Sequence, residues 1–180
     1  DTIESVTASM DVYDLFAACQ TIRNFLDVLT NWYIRRSRDR FWAGNQDAID
    51  TLHTVLDYIV RIAAPLLPLV ADEVFQGLHG AEAGSVHLTD WPSSSELPRN
   101  PVLVTAMDMV RDVCSSALSV RKAHGRRVRL PLASLTIAAA NAASLDGFLD
   151  IVRDEVNVRD VVLTADVDSV ASHELQVVPA

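Results

Sequence analysis

The chain has 180 residues, 49% of them apolar, with six Gly, seven Pro and a formal net charge of −9. That composition belongs to a packed globular protein and excludes disordered and collagen-like classes; at this length folding buries roughly 70% of the unfolded surface, so no disulfide or metal staple is needed. The longest apolar run, residues 62–71, is broken by prolines and falls short of the roughly 20 residues of a bilayer span, which predicts no membrane segment.

The chain opens Asp1-Thr2-Ile3-Glu4, with no Met and no basic-then-apolar leader, and reads as the cut end of a longer protein. From Met10 to Arg36 the residues Val12, Phe16, Cys19, Ile22, Phe25, Leu26, Leu29 and Trp32 recur every three or four positions. This spacing predicts one helix of about 25 residues with a single buried stripe, capped by Ser9. Gly44 and Asn45 break the pattern. A second helix follows over Asp47–Ala63, with Ile49, Leu52, Leu56, Ile59, Val60 and Ala63 on its apolar side, and Pro65 ends or bends it. Pro68 suits the first turn of a third helix, to Leu78, with Gly80 just past its end.

Residues 81–99 turn to Gly, Ser, Pro and acids, predicting an irregular excursion in which Val86-His87-Leu88 forms a short strand. Asn100-Pro101 is a cap followed by a first-turn proline, and starts a fourth helix through Val104, Met107, Val110, Val113, Ala117 and Val120 to Gly125. Beyond Arg129 the pattern changes. Leu130–Ala140 is β-rich, Ser144–Val152 resembles a short helix, and Val158–Leu163 and Leu175–Val178 resemble strands. The predicted fold is mainly α, a helical bundle over residues 1–129 followed by a small mixed α/β subdomain over 130–180. Cys19 and Cys114 each sit in a helical apolar pattern and read as core thiols, compatible with a reducing compartment. The five histidines are scattered singly and read as structural or surface residues.

Charge is unevenly distributed. Arg35, Arg36, Arg38 and Arg40 lie between Asn31 and Trp42, and Arg121, Lys122, Arg126, Arg127 and Arg129 lie within 121–129, which is nine of the fifteen basic side chains. With Asp39 the one acid among them, the two stretches carry +8 and the remaining chain −17. Such a molecule can hold a polyanion in one orientation and repel it elsewhere. Catalytic signatures are missing: the sequence has no glycine-rich phosphate loop, no Gly-x-Ser-x-Gly elbow, and no histidine pair four apart. Asp72-Glu73 reads as a solvated face or a favourable charge near a helix N-terminus. What the sequence does offer is aromatics interleaved with arginines, Trp32 to Trp42. Unpaired RNA bases stack on rings and guanidinium planes, while other arginines take phosphates. Trp32, in line with Leu29 and Phe25, reads as a core anchor.

Asn31–Trp42, NWYIRRSRDRFW, closely resembles the motif that opens the anticodon-binding bundle of class I isoleucyl-tRNA synthetases. APLLPLVADEVFQGL (64–78), SVHLTDWP (85–92), VRKAHGRRVRLPL (120–132) and DEVNVRDVVL (154–163) resemble the segments that follow it there, in the same order, so the resemblance spans nearly the whole chain. The Asn-Trp-Tyr and Arg-x-Pro-Leu elements point to isoleucine; the shorter helical patches are shared with the valyl and leucyl enzymes. The resemblance implies a helical bundle gripping the anticodon stem-loop of isoleucine tRNA, backed by an α/β junction, within a monomeric cytoplasmic ligase. It implies an RNA partner, with no DNA and no membrane. It implies no cofactor for this segment, ATP and Mg²⁺ for the parent enzyme's catalytic part, and leaves a zinc site in the parent open. The family's His-x-Gly-His and Lys-Met-Ser-Lys-Ser signatures are absent here. The expected RNA contacts are Arg35, Arg36, Arg38, Arg40, Arg121, Lys122, Arg126, Arg127 and Arg129, with Trp42 and His124 beside them. The alternatives are a valyl- or leucyl-type anticodon domain, and a helical module that docks an acidic protein partner.

Overall fold

A computed structural model describes residues 2–168; the expected strand at Leu175–Val178 lies outside them. The architecture is mainly helical, with one two-stranded parallel sheet near the C-terminal end. It divides into two compact units, Asp1–Pro98 and Arg99–Ala180.

The first unit contains α1 (Thr2–Asp11), α2 (Leu15–Val28), a π-helical turn (Leu29–Ile34), α3 (Arg38–Trp42), α4 (Gln46–Ala63) and α5 (Pro68–His79). The long N-terminal helix expected from periodicity is two helices. Tyr13 takes a left-handed conformation, φ 60°, and Asp14 caps α2 by accepting from the Ala17 amide at 3.0 Å. Ser9 does not cap. Its hydroxyl donates back to the Ser5 carbonyl inside α1. The apolar period runs unbroken across the corner, so spacing alone conceals the break. Its cost shows in exposure: Val12 and Phe16 face water, and Cys19 is exposed rather than a core thiol. The buried stripe of α2 is instead Ala18 and Ile22, continued by Leu29 in the π turn.

α4 starts one residue before the expected Asp47, and α5 starts at the expected Pro68. Asn45 caps α4 through the Ala48 amide at 3.0 Å, which contributes about 1 kcal/mol, and Pro68 occupies the first turn of α5. Ile3, Val6, Ile22, Ile59, Ile62, Ala71 and Phe75 form the core with Val86. Fully burying a side chain such as Ile62 stabilises by roughly 1.5–3 kcal/mol.

The irregular segment 81–98 lies over this core as a tied strap. Val86–Leu88 is one turn of 3-10 helix, not a strand, because the Asp72 carboxylate captures its start, accepting from the Ser85 hydroxyl at 2.6 Å and the Val86 amide at 2.9 Å. Those donors, with Gln76 at 3.0 Å, stabilise the ionised form. The Ser85 hydroxyl contributes most, and the Asp72 pKa is held below the usual carboxylate value. Asp72 therefore organises a loop rather than decorating a solvated face. Further along the strap, Arg61 donates to the Asp90 carbonyl, Trp91 Nε1 to Thr7, the Tyr58 hydroxyl to Glu96 and the Ser94 hydroxyl to Glu4. The hydrogen bond to Glu96 raises the Tyr58 pKa above its ordinary value.

In the second unit, α6 (Pro101–Ala123) is capped by Asn100 through the Leu103 amide at 3.0 Å. Its buried face is Ala106, Val110, Cys114, Ala117 and Arg121; Val104 and Val120, expected on the apolar side, are exposed. After β1 (Leu132–Ala138), a 3-10 stretch (Ala142–Phe148) and α7 (Leu149–Val156) lead to β2 (Val158–Thr164). The short helix thus extends past the expected Ser144–Val152. The strands pair in parallel, Leu132 against Val158 through Ala138 against Thr164, and Leu145, Val152, Val156, Val158 and Ile137 fill the space beneath.

Candidate nucleic-acid interface

Each basic cluster belongs to its own unit. In the first, the Asn31-Trp32-Tyr33 motif falls in the π-helical turn, whose i to i+5 bonding widens the helix by one residue and shifts everything after it around the axis. Two anchors hold the widened segment. The Tyr33 hydroxyl donates to the Ala48 carbonyl on α4 at 3.3 Å, and the Tyr33 and Phe41 rings meet edge to face at 6.3 Å. Between them Ser37 is buried. The polar side chains are thereby turned outward. Arg36 lies over the Trp32 ring, 5.3 Å from its centroid, so a half-buried tryptophan and a guanidinium form one flat stacked surface. Arg35 Nε donates to the Asn31 carbonyl at 2.8 Å. Arg38 and Arg40 are exposed, and Trp42 is 80% exposed.

The end of α3 is a Schellman motif. Gly44, φ 67°, supplies the left-handed residue, its amide bonds the Phe41 carbonyl at 3.0 Å, and the Asn45 amide bonds the Arg40 carbonyl at 2.9 Å. Arg40, four positions before Gly44, then donates from Nη2 to Asn45 Oδ1 at 3.0 Å. The side chain that caps α4 thus also orients an arginine.

The second cluster repeats the arrangement at the end of α6. Gly125, φ 63°, bonds the Lys122 carbonyl at 3.0 Å and Arg126 N–H bonds the Arg121 carbonyl at 2.8 Å. Lys122, His124, Arg126, Arg127 and Arg129 are all exposed, and His124 donates from Nδ1 to the Val120 carbonyl at 3.0 Å. Arg121 is different. It is only 3% exposed, and its Nη2 donates inward to the carbonyls of Arg127 and Leu130. Helical geometry explains this: 121 continues the stripe of Ala106, Val110, Cys114 and Ala117, so its side chain enters the core face rather than solvent. Spacing over 121–129 treats all five cations alike and misses this.

Tyr33, Asn45 and Asn157, the last donating from Nδ2 to the Val128 carbonyl at 2.7 Å, position these segments without being among the expected contacts. A signal existed for the asparagines, since Asn is favoured both before a helix and in the left-handed position after one.

Basic residues thus gather at two helix ends, with the exposed Trp42 beside the first, in an otherwise acidic and mainly helical chain. The chain matches the family described as the anticodon-binding domain of tRNA ligase over residues 1–137, and it belongs to that family. Its relatives carry a more particular name. It is 54% identical to isoleucine–tRNA ligase of Nocardia farcinica over 98% of this chain and 17% of that protein. It is 51% identical to the isoleucine–tRNA ligase of Corynebacterium efficiens, at 98% and 17% coverage, and 52% identical to that of Mycobacterium tuberculosis, at 97% and 16%. The chain is thus an anticodon-binding domain of the isoleucine–tRNA ligase type, and spans about one sixth of the length of the curated relatives it matches.

Proposed function

We propose that this chain grips the anticodon stem-loop of an isoleucine tRNA, as the tRNA-selecting part of an isoleucine–tRNA ligase acting in the cytoplasm as a monomer. The observation that carries the reading is the pair of Schellman-ended helices that leave Arg38, Arg40 and Trp42 in one unit, and Lys122, His124, Arg126, Arg127 and Arg129 in the other, turned to solvent within and just after helices covered by the family match. Arg35 and Arg36 join the first group, Arg36 through its stack on Trp32. Guanidinium groups take phosphate oxygens in bidentate bonds, and Trp42 offers a face to an unpaired base.

In this reading the functional division follows residues 1–129 for the RNA-binding part and 130–180 for the junction behind it. Amino-acid activation with ATP and Mg²⁺ belongs to other parts of the ligase. The glycines with positive φ, Gly44, Gly80, Gly84 and Gly125, stand singly in turns and build no phosphate cradle. Recognition of the tRNA at its anticodon is separate from choosing the amino acid, where one methylene gives only about 1–3 kcal/mol of discrimination.

Fluorescence anisotropy with labelled isoleucine tRNA, the same tRNA with its anticodon replaced, and an unrelated tRNA tests the proposal over a salt series. The native anticodon should bind tightest, with affinity falling by about 0.7 log units per phosphate contact for each decade of salt. Equal binding of all three RNAs, or stronger competition by an acidic peptide than by RNA, refutes it. Preference for a valine or leucine tRNA would reassign the type.

A further inference from the structure

Arg121 is a costly residue to bury. Its Nε and Nη1 have no hydrogen-bond partner, and an apolar side chain of similar volume would pack the same face of α6 without that penalty. What the guanidinium gains is a hold on the loop that follows. The Arg121 carbonyl accepts from the Arg126 amide, while its Nη2 donates to the Arg127 and Leu130 carbonyls. Leu130 N–H also bonds the Arg127 carbonyl at 3.0 Å, closing a four-residue turn. The carbonyl between them, Val128, is taken by Asn157 Nδ2 at 2.7 Å.

Asn157 is itself placed by local chemistry. It ends α7 in the left-handed region, φ 55° and ψ 63°, and its own carbonyl accepts from Leu132 N–H at 3.1 Å as β1 begins. Glycine is the residue that suits this conformation at least strain. Glycine could not reach Val128. The choice of Asn keeps the turn and adds a donor aimed at the loop.

We infer that Arg121 and Asn157 are positioning residues that clamp the backbone of residues 126–130 from two sides, so that Arg126, Arg127 and Arg129 are presented already ordered to an RNA phosphate backbone. The inference rests on the RNA-binding reading above. With carbonyls 127, 128 and 130 tied down, the loop's backbone polar groups turn inward and its three arginines point to water. Less ordering entropy then opposes RNA binding.

The test uses the intact protein with Asn157→Gly, which preserves the left-handed cap and removes only the side-chain donor, and with Arg121→Lys, which keeps the charge but loses the planar fork. Hydrogen exchange should quicken at amides 126–130 and stay unchanged in α6 and β2. Affinity for an isoleucine tRNA transcript should fall roughly three- to ten-fold in each variant, with the salt slope retained because the number of phosphate contacts is unchanged. The decisive arm combines Asn157→Gly with Arg126, Arg127 and Arg129 all changed to Gln. A positioning residue loses its effect once the groups it positions are gone, so the two changes should be non-additive. Faster loop exchange with undiminished tRNA affinity, or full additivity, overturns the inference while leaving the RNA reading intact. Failure of the unaltered protein to bind the transcript removes that reading, and the inference with it.

Discussion

Changing Arg126, Arg127 and Arg129 together to Gln separates an electrostatic RNA surface from a merely basic one. All three side chains are exposed, and the loop that carries them is held through its backbone, so Gln leaves the clamp in place and removes only charge. If each guanidinium displaces the counterions of one phosphate, each contact contributes about 0.7 to the log–log salt slope. At about 0.15 M monovalent salt this corresponds to about four-fold in affinity per contact, and about fifty-fold for three. At about 0.05 M the same contacts contribute about five-hundred-fold, so the deficit should shrink roughly ten-fold as salt rises three-fold. Anisotropy titrations of labelled isoleucine tRNA at both salt concentrations measure this, and a thermal melt confirms that the variant stays folded. A deficit that does not change with salt would mean that these arginines do not meet phosphates, and the interface would have to be sought elsewhere.

Trp42→Ala should weaken binding of the native tRNA by about 1–3 kcal/mol, the usual worth of one base stacked on an aromatic ring, while Trp42→Phe retains most of it. Because the side chain is 80% exposed, its unfolding midpoint should not move; a large loss of stability with no loss of affinity would return Trp42 to a structural role. Tyr13→Gly should raise stability by about 1 kcal/mol, since it relieves a left-handed non-glycine residue whose ring is exposed and packs on little; urea denaturation showing a loss would refute the strain. Asp72 has a depressed carboxylate pKa, so its contribution is present above the ordinary value of 3.8 and lost as pH falls through the lower folded value. Melting curves between pH 6 and pH 2 should therefore fall more steeply for the native chain than for Asp72→Asn at the acid end, and parallel curves would show that the strap does not depend on that carboxylate.

How legible this was in the sequence depended on whether a feature is local. Asn45, Pro68, Asn100 and the glycines after α5 and α6 announce helix ends through chemistry confined to one turn, and those ends fall within a residue or two of expectation; the end of α3 at Trp42 lies six residues past the expected Arg36. The corner at Tyr13 is not legible, because the apolar period is continuous on both sides of it and a left-handed tyrosine carries no sequence signal. The π turn at 29–34 is hidden for a related reason: one added residue in one turn is invisible to a pattern averaged over seven turns. The site was legible as composition and not as geometry. Nine clustered cations are plain in the sequence, but whether the side chain at 121 enters the core depends on which face of α6 is buried. That face is shifted from the one read off Val104, Met107 and Val120.

The two clusters share a solution to one physical problem. A loop that meets RNA must expose many like charges close together, which repel one another and favour disorder, yet it must stay ordered enough to bind in one register. In both places a left-handed glycine follows the helix, and the arginine four positions before that glycine uses its side chain to hold the connection that follows. Arg40 bonds Asn45 Oδ1, which is also the cap of α4, and Arg121 bonds two loop carbonyls. The bonds made by Arg40 and Arg121 go to backbone and cap groups, which order the connections without neutralising charge. Pairing with acids would have ordered the loops equally well, but it would have neutralised the charge on which phosphate binding depends. On the proposed RNA reading, the −17 carried by the rest of the chain disfavours RNA on the other surfaces and leaves the charge of the two clusters intact.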